Sequence, residues 1–246
     1  MCGIAITVLP ASDQTRSDLV QTCQGGDPPP LGIKRGVKAP REAKRYKKMS
    51  KMINTKKEEI SQKEKILKYR KIIKFVYQNK PLGTGDAVLK AKKFIKDKYF
   101  LMLLPDDLVI KRNCSKDMIK IFKRKKCSVM ASMKVNKKTV NRWGIYSIKS
   151  KINNNNFYIK DVIEKPEIKS APSNRAVVGR YILPKKIFAK LKNQKKGKGG
   201  EVHITDSIRK LIREGDKFIG HSFFGKYLDC GTMQGYIKSS LEISKI

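Results

Sequence analysis

The chain has 246 residues, 39% of them hydrophobic, with nine Phe, nine Tyr and one Trp, which is enough apolar material for one α/β domain with a substantial core and argues against global disorder. No run approaches the roughly 18 consecutive apolar residues needed to cross a bilayer, and the start lacks a basic stretch followed by an apolar one, so a soluble, cytoplasmic protein without membrane association is expected. The net charge of +36 comes from 57 Lys and Arg against 21 Asp and Glu, spread almost evenly: 18 of the basic residues fall in the first 75 positions and 39 in the remaining 171. An evolved nucleic-acid surface concentrates its charge, so no specific nucleic-acid partner is expected, although a basic polyanion-binding protein without catalysis is kept as the alternative.

Residues 1–47 read differently from the rest of the chain. One short strand fits within 1–10, but Cys23-Gln24-Gly25-Gly26-Asp27-Pro28-Pro29-Pro30 and the basic run at 34–48 carry neither a helical nor a strand period, and a flexible basic arm is predicted. One folded domain is expected over 48–246. Ile53, Ile60 and Leu67 recur every seven residues and predict an amphipathic helix over 53–75. A strand at 72–77 leads through Gln78 and Pro81-Leu82-Gly83-Thr84-Gly85-Asp86 into a helix carrying Val88, Ala91 and Ile95. The glycines there allow close approach of a flat or anionic ligand, with Asp86 as a candidate N-cap.

Tyr99-Phe100-Leu101-Met102-Leu103-Leu104 has no polar alternation and reads as a strand buried on both faces, of the kind found in a mostly parallel sheet. Such strands end at ligand crevices, and here the end carries Asp106-Asp107. From the residues alone this pair either holds a hard cation such as Mg²⁺, or opens a turn or caps the next helix. A helix near 116–125 and an alternating strand at 129–135 come next; Trp143-Gly144-Ile145 turns into a further strand, Asn153 to Asn156 make a hairpin tip, and a strand at 157–163 ends at Glu164-Lys165-Pro166. A buried strand over 176–183 is interrupted by Gly179, a sign of close approach by backbone or ligand. Thr205-Asp206 is read as the cap of a helix with Ile208, Leu211 and Ile212 inward, residues 218–224 as a strand, and Thr232 as the start of the last helix. Five scattered cysteines and two histidines suggest neither a zinc site nor a disulfide framework.

Taken in order, Gln78 with Pro81-Leu82-Gly83-Thr84-Gly85, Leu104-Pro105-Asp106-Asp107, Trp143-Gly144-Ile145, Val162-Ile163-Glu164-Lys165-Pro166, Val178-Gly179-Arg180-Tyr181, Ile204-Thr205-Asp206 and Asp229-Cys230-Gly231 closely resemble the bacterial UTP:glucose-1-phosphate uridylyltransferases, a branch of the sugar-nucleotidyltransferases. The likeness runs from about residue 74 to 241. It implies a Rossmann-like nucleotide-diphospho-sugar transferase fold with a mixed, mostly parallel central sheet, and formation of UDP-glucose and pyrophosphate from UTP and glucose 1-phosphate. It further implies Asp106 and Asp229 as Mg²⁺ ligands, Lys165 as the cation on the sugar phosphate, Gln78 and Gly83 against uracil, Glu164 on the glucose hydroxyls, and Gly144 and Gly179 in close contact with the hexose. A homo-oligomer is implied as well. Two departures stand out. The GxGTR loop and preceding strand with which the family begins are not seen, which reads as an N-terminal truncation or replacement that would impair triphosphate binding. Asp86 and His203 also stand where His and Gln are usual.

Overall fold

The computed structural model describes residues 4–7, 19–24, 67 and 73–245. The heptad helix expected over 53–75 and most of the 1–47 arm lie outside these residues, although β1 (Ile4–Thr7) and β2 (Leu19–Gln24) fall within the latter. These two pair antiparallel, and β2 pairs in parallel with β3 (Lys74–Gln78).

Among the described residues the main sheet has six strands. In spatial order they are β4 (Tyr99–Leu103), β9 (Arg175–Pro184), β6 (Ser128–Lys134), β10 (Phe218–Ser222), β8 (Asn156–Glu164) and β7 (Gly144–Lys151). The sheet is mixed, but the expectation of mostly parallel pairing is corrected. Within it only β10 and β6 pair in parallel, because β9 runs antiparallel between β4 and β6, and β8 runs antiparallel to β10 and β7. A strand's own residues encode its burial and not the direction of its neighbours, so an apolar run cannot distinguish these cases. A separate ribbon, β5 (Asp107–Ile110) with β11 (Lys226–Asp229), was not anticipated from the sequence.

Alternation within β4 shows why both faces are covered. Phe100 and Met102 join the core beneath α1 (Thr84–Lys90), α3 (Ile187–Lys192) and α4 (Ile204–Arg213), with Val88, Phe188, Leu191, Ile208 and Leu211. Leu101 joins Met118, Ile121 and Phe122 of α2 (Cys114–Lys125) on the other face. Asn113 caps α2 by accepting the Lys116 amide at 3.0 Å, and Thr232 caps α5 (Met233–Ile243) by accepting the Gly235 amide at 3.0 Å. Thr205 and Asp206 do not cap α4. The N-cap position is His203, and the Thr205 hydroxyl is turned to Glu164 instead. Among the described residues no helix is long and apolar enough to cross a membrane.

Candidate active site

The turn after β4 separates two neighbouring acids. Asp107 is drawn inward: its Oδ1 accepts from the Tyr227 hydroxyl and its Oδ2 from the Gly179 amide at 2.5 Å, so one carboxylate ties β5, β11 and β9 together. Burial holds this carboxyl above the usual range, against the opposing pull of both hydrogen bonds and of Arg180. Asp106 stays partly exposed, and its carbonyl accepts the Cys230 amide at 2.7 Å, which brings the end of β11 alongside. Asp229, the last residue of β11, receives the Gly231 amide on Oδ1 at 2.9 Å. A methyl group built on Gly231 would sit 3.1 Å from Asp106 Oδ2 and 3.2 Å from Asp229 Oδ1. The two carboxylates therefore face a common space that Gly231 leaves open, although 123 positions separate them in the chain. Two half-exposed, hard oxygen donors fit a hard divalent cation that takes its remaining ligands from phosphate and water.

A β-bulge explains how Gly179 can serve Asp107. Along β9, Tyr181 is opposite Met130 of β6 but Val178 is opposite Ala131, so Gly179 and Arg180 are left out of that ladder. The Gly179 amide is thereby free to reach Asp107, while its carbonyl takes the Leu104 amide at 2.8 Å. The Arg180 guanidinium folds back on the same turn, donating from Nη1 to the Leu104 and Gly179 carbonyls at 2.8 Å each. What crowds Gly179 is the chain itself: a Cβ there would lie 2.5 Å from both Asp107 Oδ2 and Leu104 Cβ.

Further along the same face of β9, Val177 packs beside Gly144, which pairs with Glu164 where β7 and β8 meet. The Glu164 Oε2 accepts the Thr205 hydroxyl at 3.1 Å, and a Cβ on Gly144 would lie 3.2 Å from that same oxygen. Lys165 is exposed, its amide bound to the Trp143 carbonyl at 3.0 Å, and its backbone is left-handed with φ of 44°. A non-glycine residue there costs about 1–2 kcal/mol, and such strain clusters at functional sites. Pro166 is next and is buried, so the strand cannot continue.

Gln78 ends β3 and is 3% exposed. Its Nε2 donates to the Gly83 carbonyl at 3.2 Å and to Asp86 Oδ2 at 2.6 Å, while its Oε1 has no partner among the described residues. Asp86 is thus not the N-cap, a position taken by Gly83 with φ of 97°. The amides at this helix start are partly used: the Gly85 amide donates to the Val202 carbonyl at 2.7 Å, and the Val202 amide to the Leu82 carbonyl at 2.7 Å. The segment that approaches Gly83 and Gly85 is therefore 201–202 of the chain. From Val202 the path continues to Thr205 and Glu164, which links the Gln78 end to the rest.

Tyr181, absent from the sequence-derived site, lies within electrostatic reach of Asp107, Glu164 and Asp106. Burial and these three carboxylates push its phenol well above the ordinary value. Its place in the Val178-Gly179-Arg180-Tyr181 motif was the one available signal, and β-strand alternation hides it among apolar neighbours.

Comparisons with known proteins identify the family. A family model described as nucleotidyl transferase matches residues 33–246. A UTP–glucose-1-phosphate uridylyltransferase of Pseudomonas aeruginosa is 34% identical over 171 residues, covering 68% of this chain and 60% of that protein. UTP–glucose-1-phosphate uridylyltransferase 2 of Streptococcus pyogenes serotype M3 is 34% identical over 173 residues, covering 68% of this chain. The matched part of the chain spans only 58% of the latter protein's length. Among solved structures, a UDP-glucose pyrophosphorylase complexed with UDP-glucose superposes with a TM-score of 0.68 at 33% identity, covering 81% of this chain and 77% of that one. A UTP-bound UGPase from Acinetobacter baumannii superposes with a TM-score of 0.61 at 31% identity, covering 75% of this chain and 67% of that one.

Proposed function

Because the chain belongs to the nucleotidyl transferase family, we propose that it is a uridylyltransferase, joining UTP and glucose 1-phosphate into UDP-glucose with release of pyrophosphate. The observation that carries this reading is the meeting of Asp106 and Asp229 around Gly231. A divalent cation, Mg²⁺ in this reading, would be held by these two residues and would supply charge neutralisation at the phosphate oxygens.

The remaining work is positioning. A glucose 1-phosphate oxygen attacks the α-phosphorus of UTP in line with the departing pyrophosphate, and no side-chain nucleophile is required. Lys165 pairs with the sugar phosphate from the exposed end of β8. Glu164, steadied by Thr205, accepts hydrogen bonds from glucose hydroxyls, with Gly144 keeping that carboxylate uncrowded. Gly179 serves the hexose site indirectly, by bracing the turn that holds Asp106 and Asp107. Gln78, whose amide nitrogen is held by Gly83 and Asp86, offers Oε1 to the N3–H of uracil beside Gly83. Cytoplasmic location and assembly as a homo-oligomer belong to the same reading.

The test is release of pyrophosphate from UTP and glucose 1-phosphate, with and without Mg²⁺. Metal-dependent release that fails in Asp106→Asn is expected. A folded preparation that releases none at millimolar substrate would refute the proposal.

A further inference from the structure

A second concavity lies away from these residues. A cavity of about 560 Å³ opens between α2, the hairpin tip at 153–156 and the end of β10. Ile121, Asn156 and His221 line it from within, at 7%, 9% and 5% exposure, and Arg112, Lys120 and Arg124 stand exposed around it. Arg112 is engaged by Asp117 at 2.8 Å and lies 5.2 Å from the Phe224 ring, whereas Lys120 and Arg124 form no ion pair among the described residues.

Hydrogen bonding determines which nitrogen of His221 carries hydrogen. The backbone amides of Asn155 and Asn156 both donate to Asn153 Oδ1, at 3.0 and 2.8 Å, which identifies that atom as oxygen. Asn156 Nδ2 donates to the same oxygen at 3.0 Å, so the Asn156 atom turned to His221 is Oδ1, an acceptor. His221 Nδ1, 2.8 Å from it, must then be the donor. Burial pushes the imidazole below its ordinary pKa, so the neutral ring keeps a bare lone pair on Nε2, and this atom is buried with no hydrogen-bond partner. An unmet acceptor beside two unpaired cations has the features of half a binding site.

We propose that this cavity binds a phosphorylated small molecule, its phosphate paired with Lys120 and Arg124 and sharing one hydrogen with His221 Nε2. A bare lone pair repels a fully ionised phosphate oxygen, so the contact requires one proton between them, held by the ring or retained by the phosphate. The second ionisation of a phosphate monoester lies near pH 6, so at about pH 8 binding draws that proton from solution. The charged groups facing His221 are Asp117, Lys120 and Arg124 of α2 and Arg112 of the preceding turn, with Arg175 of β9 bound to the adjacent Ser222 at 2.9 Å. The hairpin tip contributes only amides. Asp117 favours the protonated ring and Arg112 opposes it. Phe224 offers the rest of the ligand an apolar wall.

The experiment is titration of the full chain with phenyl phosphate, a monoester that carries no proton at about pH 8, at about 0.15 M salt to screen diffuse attraction. Calorimetry in buffers of different ionisation enthalpy counts protons, and ¹⁵N spectra of the histidine rings track Nε2. Lys120→Ala with Arg124→Ala is expected to weaken binding about tenfold or more. Lys123→Ala with Lys125→Ala, an equal loss of charge on exposed positions of the same helix, is expected to change it less than about twofold. Proton uptake near one per phosphate at about pH 8, with a His221 Nε2 shift on saturation, completes the expected result. Equal weakening in both double variants, or a His221 ring unchanged at saturation, would overturn the proposal. Neither outcome depends on whether the chain makes UDP-glucose.

Discussion

Replacing Gly179 by alanine tests the central turn. The added Cβ would lie 2.5 Å from Leu104 Cβ and 2.5 Å from Asp107 Oδ2, and neither can rotate away freely. Leu104 Cβ is fixed to a backbone whose amide already binds the Gly179 carbonyl, and Asp107 is held by Tyr227. Overpacking of this kind costs about 1–3 kcal/mol. Displacing the carboxylate from the Gly179 amide removes a charge-assisted hydrogen bond worth about 1.5–3 kcal/mol. The two losses overlap, so we expect about 2–5 kcal/mol in all, and a fall in thermal midpoint of about 5–15 °C for a domain of this size. Urea and thermal unfolding measure the stability change, and pyrophosphate release assayed below the new midpoint measures the site. Activity should fall through kcat as Asp106 shifts with the turn. A variant that unfolds within about 0.5 kcal/mol of the parent would refute the crowding argument. If that same variant showed only a raised KM for glucose 1-phosphate, Gly179 would matter for the sugar and not for the turn.

The same geometry makes other outcomes testable. Asp106→Asn and Asp229→Asn preserve size and hydrogen-bonding shape, so each should lower pyrophosphate release by about 10²–10³-fold with little change in urea midpoint; retained activity within threefold would contradict the cation pair. Gly231→Ala places a methyl between the two carboxylates, and the Mg²⁺ concentration for half-maximal activity should rise by about tenfold or more. Gly144→Ala meets Glu164 Oε2 and Val177 at 3.2 Å, contacts that can give, so stability should change by less than about 1 kcal/mol while KM for glucose 1-phosphate rises. For Asp161, burial favours the neutral acid, but Arg209 at 2.9 Å, the Val162 amide and Arg213 outweigh it and hold the carboxyl below its ordinary 3.8. A depressed carboxyl stabilises the fold above the ordinary value and loses that contribution as pH falls through the folded one. The stability gap between the parent and Arg209→Met should therefore close below about pH 4, as read by urea midpoints.

How much of the molecule was legible in the sequence depends on what kind of information each element carries. Tyr99 to Leu103 and Arg175 to Pro184 are written as apolar runs, and Thr232 announces the start of α5, so burial and that boundary could be read locally, whereas the start of α2 at Asn113 was placed two residues late. The β5–β11 ribbon could not, because its residues are only half buried and its partners lie more than a hundred positions apart. Asp106 and Asp107 look equivalent in sequence. Only the bulge in β9 and the Tyr227 hydroxyl decide that one stays open and the other is consumed. Gly83 and Gly85 were recognised as sites of close approach, but composition could not reveal that residues 201–202 make it.

The irregularity at Gly179 and Arg180 bears on how this protein could be altered. A redesign that rewarded tidy strand alignment alone would excise these two residues, let Tyr181 and Val178 fall into step with Met130 and Ala131, and return a neater sheet. The amide that restrains Asp107 would vanish with them, and its acidic neighbour would lose its bearing. Here disorder in the weave is the tool, and campaigns for thermostability should leave that flaw untouched.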